Sequence, residues 1–181
     1  MIRNFIKQRE FWSWLLSFAL MIYLLSTRPL SGAWGMSPVD LLFSLQSFAC
    51  FFCSGGQMLI VTLLAAAGKD LLFGQMMGPS LILAVGLVLI SYIIRDIRLP
   101  RKWGWSFVFA SVLHLLNRIL KALLFQVLPL RYKLEMSLDQ RVARELLTGI
   151  RSLPGILLGL LMIMGIFYLV SPDFYKEETW Q

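Results

Sequence analysis

Long apolar runs, each bounded by a proline, a glycine or a cluster of charge, recur along the whole chain. Phe11–Leu25, Val39–Cys53, Met58–Phe73, Ser80–Ile94, Trp103–Leu128 and Leu153–Val170 are such runs. A helix of a soluble domain hides one stripe and keeps a polar face for water. Here polarity instead changes in blocks along the chain, as expected when the solvent itself alternates between lipid and water. Composition agrees: 58% of the 181 residues are hydrophobic, only 15% are charged, and the mean hydropathy is +0.73. A soluble domain carries about 45–50% apolar and about 25% charged residues.

The expected fold is therefore an all-α integral membrane protein forming a single membrane domain, residues 1–181. It is a bundle of about six transmembrane helices, with spans near 11–27, 38–53, 57–73, 79–95, 103–128 and 153–171. The competing count is five, with the second and third runs forming a shallow hairpin. The first run also has the look of a signal peptide, with Ser31-Gly32-Ala33 as a cleavage site. Arg28 and Pro29 intervene, however, and a retained span suits the rest of the chain better. Pro38 suits a first helical turn with Ser37 as its cap, and Ser54-Gly55-Gly56 signals a tight turn.

One amphipathic helix, 133–150, is expected between the fifth and sixth spans. Leu134, Leu138, Val142, Leu146 and Ile150 recur every four residues, Ser137 and Gln140 form a capping box, and Gly149 suits a terminator. Such a helix lies on the membrane surface or against a partner.

The net charge of +7 resides in clusters flanking the apolar runs. Anionic lipid headgroups are sufficient partners for it, and nucleic acid is not expected. The positive-inside rule places Met1–Glu10 and Arg95–Lys102 in the cytoplasm, four spans apart, and with them both chain termini. The segment Arg131–Ser152 then faces outward despite its own five basic residues, which opposes the assignment.

Few residues offer chemistry. Cys50 and Cys53 have metal-like spacing, but the one histidine, His114, is remote in sequence, so the thiols read as small apolar groups and no metal or cofactor is expected. No phosphate-binding glycine loop or hydrolase motif is present, which argues for a non-enzymatic role. The strongest polar feature is one face of the fifth run, where His114, Asn117, Arg118 and Lys121 line up. A charge at bilayer depth costs about 2.5–3.5 kcal/mol on insertion scales, so these groups should face the bundle interior, with Asp40 and Asp70 as candidate counter-charges. Alternatively Arg118 and Lys121 snorkel to the interface. Small residues at four-residue spacing mark a second feature: Asp70, Gly74 and Gly78, and the pair Gly155 and Gly159, permit close approach of backbones in lipid.

The run Pro38-Val39-Asp40-Leu41-Leu42, the Gly55-Gly56 turn and Asp70-Leu71-Leu72-Phe73-Gly74-Gln75-Met76-Met77-Gly78 together resemble the rod-shape-determining protein family MreD. The likeness covers roughly Phe11 to Phe125. Where that family often has glycines four and eight residues before the aspartate, this chain has Ala66 and Thr62, and Lys69 beside Asp70 also departs from the pattern. The resemblance implies a non-enzymatic scaffold in the bacterial inner membrane. Such a protein binds the single-span partner MreC and thereby couples the actin-like MreB to peptidoglycan synthases of the cell-elongation complex. The family's fold is similar to the substrate-binding subunits of energy-coupling-factor vitamin transporters. A vitamin-binding membrane subunit is accordingly the alternative expectation, and it requires convergent polar and aromatic groups near the outer ends of several spans.

Overall fold

The computed structural model describes residues 2–27, 38–53, 55–72, 79–96, 103–127 and 137–172. Among these the regular structure is helical, with six helices and no strand: α1 (Ile2–Thr27), α2 (Pro38–Phe52), α3 (Gly55–Leu72), α4 (Pro79–Asp96), α5 (Trp103–Val127) and α6 (Leu138–Val170). Proline opens α2 and α4, at the position where its missing N–H costs nothing. Gly55 opens α3 with φ +50°, a left-handed conformation that suits glycine, so the chain reverses from α2 within two residues.

α2 is the hub. All its described side chains, Leu41 to Phe52, are buried, and it packs against each of the other five helices. Its polar residues Ser44, Gln46 and Ser47 are enclosed with the rest, and Ser44 and Gln46 donate to carbonyls of α6 and α3. Around it, α5 and α6 form the most extensive pair.

The interior is chiefly apolar, as in a soluble protein, but it also encloses polar groups, and the outer surface is rich in large apolar side chains. Ser44, Thr62, Asp70, Ser91, His114 and Ser152 are at most 2% exposed, whereas Ile60, Leu71, Ile93, Tyr168 and Leu169 are 58–80% exposed. Water would penalise both halves of that arrangement. Two helices, over Gly104–Leu124 and Leu138–Val170, are long and apolar enough to cross a membrane, and Leu41–Phe52 and Ser80–Ile94 are shorter apolar helices.

The separate amphipathic helix expected between the fifth and sixth spans does not exist as such. From residue 138 its sequence forms the first half of α6, which runs 33 residues without interruption through Pro154. Ser137 is the cap, its Oγ accepting from the backbone N–H of Gln140 at 3.4 Å. Gly149, expected to terminate a helix, lies inside one. A Cβ there would sit 3.1 Å from Arg118 Cγ and 3.3 Å from Leu115 Cδ2, so the glycine serves close packing of α6 on α5. Pro154 removes one backbone hydrogen bond and crowds the preceding turn, at a cost of about 3 kcal/mol. Packing of this stretch against α5 and α2 offsets that cost, and prolines are tolerated where neighbouring helices support the backbone.

One end of the bundle is aromatic. Trp14 packs edge-on against Phe167 and Phe48, with centroids 4.9 and 5.5 Å away, while Trp12 is half exposed. Phe48 in turn stacks on Phe52 at 4.7 Å. The Ser13 and Ser171 hydroxyls are hydrogen-bonded at 3.1 Å and Ser106 Oγ donates to Met164 Sδ at 3.8 Å, so this end gathers α1, the start of α5 and the end of α6.

Candidate functional site

The opposite half of the bundle holds the polar groups, and α5 supplies most of them. Three-residue and four-residue steps bring His114, Asn117, Arg118 and Lys121 onto one face. Three of the four are at most 7% exposed: His114, Asn117 and Arg118. Opposite this face runs the first half of α6, held close because Gly149 has no side chain.

Three side-chain contacts clasp the two helices. Arg118 Nη1 donates to Glu145 Oε2 at 3.2 Å, and Lys121 Nζ lies 3.8 Å from Glu145 Oε1. The His114 ring meets Ser152 through Nε2 and Oγ at 2.9 Å, while the Ser152 hydroxyl donates to the Gly149 carbonyl at 3.0 Å. Since serine has a single proton, His114 Nε2 is the donor of the pair and Nδ1 carries the lone pair. Phe43 of α2 covers the imidazole edge-on, with centroids 5.0 Å apart. Lys69, from the end of α3, is close enough for its charge to act on His114.

Ser152 and His114 have the separation of a nucleophile and base. Yet the hydroxyl proton is engaged by a carbonyl, and the two residues are 2% and 1% exposed. Neither His114 Nδ1 nor Asn117 Oδ1 has a hydrogen-bond partner among the described residues. An unsatisfied buried acceptor costs about 1–3 kcal/mol, and the strong contacts around it must bear that cost.

Arg118 therefore does not snorkel: it is buried and paired. A carboxylate partner of Arg118 is Glu145, from α6, which was not among the counter-charges expected from the sequence. Asp70 is 1% exposed at the end of α3. Asp40 lies in the first turn of α2, with its side chain outside the description, and Gly74 and Gly78 fall outside the described residues. Gly155 and Gly159 are both buried in α6. A Cβ on Gly159 would collide with Ser44 Oγ, and lie 3.0 Å from Ser44 Cβ and 3.3 Å from Leu41 Cδ2. Ser44 also donates to the Ile156 carbonyl at 3.0 Å, so the GxxxG motif closes an internal α2–α6 contact.

Sequence reasoning missed Glu145, Gly149 and Ser152 as members of this cluster. Their spacing of four and three residues was a usable signal, obscured by treating 133–150 and the sixth span as separate elements. Cys50 and Cys53 are buried, and Cys50 Sγ lies 3.9 Å from Thr62 Oγ1. Among the described residues no three His, Cys, Asp or Glu side chains cluster as metal ligands. A shallow, wholly apolar cleft of about 200 Å³ opens between α1, α2 and α3, lined by Phe18, Ile22, Leu42, Leu64 and Gly68. No protein-family model matches the chain, and no curated protein or solved structure matches it.

Proposed function

We propose that the chain is a multi-span helical scaffold of a membrane, all six helices embedded, whose role is to bind other membrane proteins. Within that class the reading favoured is an MreD-like component of the bacterial cell-elongation complex, seated in the inner membrane and partnered by a single-span protein. The observation that supports the class is the apolar exterior: large side chains such as Ile60, Leu71, Ile93 and Leu169 stand outside, while Asp70, His114 and Arg118 lie inside. The helices shorter than about 20 residues are accommodated because α2 is shielded by its neighbours. The interior is fastened by an ion-paired clasp, as a rigid binding body requires. The MreD-like role rests on the resemblance around Pro38–Leu42 and Asp70–Gly78.

In the proposed orientation the basic N-terminal segment and the 97–102 connector are cytoplasmic, and the clasp lies in the outer half of the bundle. The test is co-purification with a single-span, coiled-coil membrane protein encoded beside this gene. Gly74→Leu with Gly78→Leu should reduce that capture at least several-fold at unchanged protein level. Capture at the parental level would remove the family role, and solubility without detergent would remove the class.

A further inference from the structure

Two acceptors on α5 point to a ligand inside the bundle. His114 is 1% exposed and Asn117 6%, and neither the ring Nδ1 nor the amide Oδ1 has a hydrogen-bond partner among the described residues. Nε2 of the ring donates to Ser152 Oγ, whose own proton goes to the Gly149 carbonyl, so Nδ1 keeps its lone pair. Two lone pairs repel one another, and only a group with two protons to donate joins them.

The spacing suits such a group. Residues three apart share one face of a helix, with Cβ atoms about 5–6 Å apart. Nδ1 and Oδ1 each lie two bonds beyond Cβ, which brings them within reach of the separation of about 4.5 Å that one bent O–H···acceptor pair spans.

The surroundings select the donor. Arg118 and Lys69 both act on His114 through their positive charge, so an ammonium or a metal ion would be repelled. Phe43 covers one edge of the ring and Gly149 of α6 closes on its Nε2 side, which favours a small occupant. A water molecule is neutral and carries two O–H donors on one heavy atom. Internal waters settle at buried polar groups that the chain leaves unsatisfied, each making about two to four hydrogen bonds.

We propose that His114 and Asn117 together hold one internal water, which donates one O–H to Nδ1 and the other to Oδ1. The clasp of Arg118 and Glu145 then continues inward through a hydrated step. The site is internal, so it does not depend on the scaffold role or on the family.

His114 is the one histidine of the chain, so histidine enriched in nitrogen-15 reports on this ring alone. The full-length protein in phosphatidylcholine vesicles is examined by solid-state NMR with magnetisation transferred from water protons. Transfer should reach Nδ1, with no proton bound to that nitrogen, and Asn117→Leu should reduce it several-fold while Lys69→Met leaves it unchanged. The melting temperature gives a second readout. With the water in place Asn117→Leu strands an O–H and lowers it, whereas with two bare acceptors the same change removes an unsatisfied group and raises it. An Nδ1 that carries its own proton, no transfer in the parent, transfer unaffected by Asn117→Leu, or a raised melting temperature each overturns the site. Loss of the transfer in Lys69→Met assigns the donor to the Lys69 ammonium. A coupling between Nδ1 and the Asn117 amide nitrogen assigns it to Asn117 with its amide turned round. Either result also removes the water.

Discussion

Arg118 decides how the polar interior is held together. Its guanidinium is nearly enclosed, and the carboxylate opposite it belongs to Glu145, with Lys121 at the rim. Removing one member of a sheltered pair leaves the other charge stranded, which costs more than the pair itself contributes. Arg118→Leu should therefore lower stability by about 2–3 kcal/mol, seen as a fall in the melting temperature of the detergent-solubilised protein. Arg118→Leu combined with Glu145→Leu should recover part of that loss, because the only charge then deprived of this carboxylate is Lys121, which is partly exposed to solvent. If the single variant melts like the parent, the clasp contributes nothing. The sequence already showed that Arg118 needed company, since a charge among apolar residues must find it. It did not show from where, because Glu145 lies 27 residues away across a connection.

Among the helices, the seam between α2 and α6 is the least forgiving. Gly159 meets Ser44 and Leu41 with no room for a methyl group. Gly159→Ala should destabilise the fold by about 1–3 kcal/mol through overpacking, read by the same thermal assay. Ser44→Ala in that background should restore part of the loss by withdrawing the hydroxyl, and no effect of Gly159→Ala would mean that the seam is loose. Element identity was largely readable here: proline at 38 and 79 opens α2 and α4, and Ser137 caps α6. The fusion of the amphipathic stretch with the last apolar run was not. Local rules place a stop at Gly149 and a start at Pro154, and both were overridden by tertiary packing, the glycine by Arg118 and the proline by support from α5 and α2. The apolar runs said equally little about which helix would be central. All are similarly oily, and Ser44, Gln46 and Ser47 gave α2 no mark of an enclosed helix.

For the molecule as a whole, the proposed orientation has a direct check. A membrane-impermeant maleimide applied to intact cells should label Leu147→Cys and spare Arg9→Cys until the membrane is permeabilised; the buried Cys50 and Cys53 should not interfere. The reverse pattern would invert the bundle. Enclosure of α2 also bears on how the polypeptide is made. A helix surrounded on every side is synthesised early, while α6, which forms one of its longest walls, emerges about a hundred residues later. In the interval the nascent chain must shelter the Ser44 flank of α2 with something other than its final neighbour. Folding can finish only after the ribosome has delivered α6, so any interruption of translation before that point yields a product with an open seam that membrane quality-control proteases can recognise.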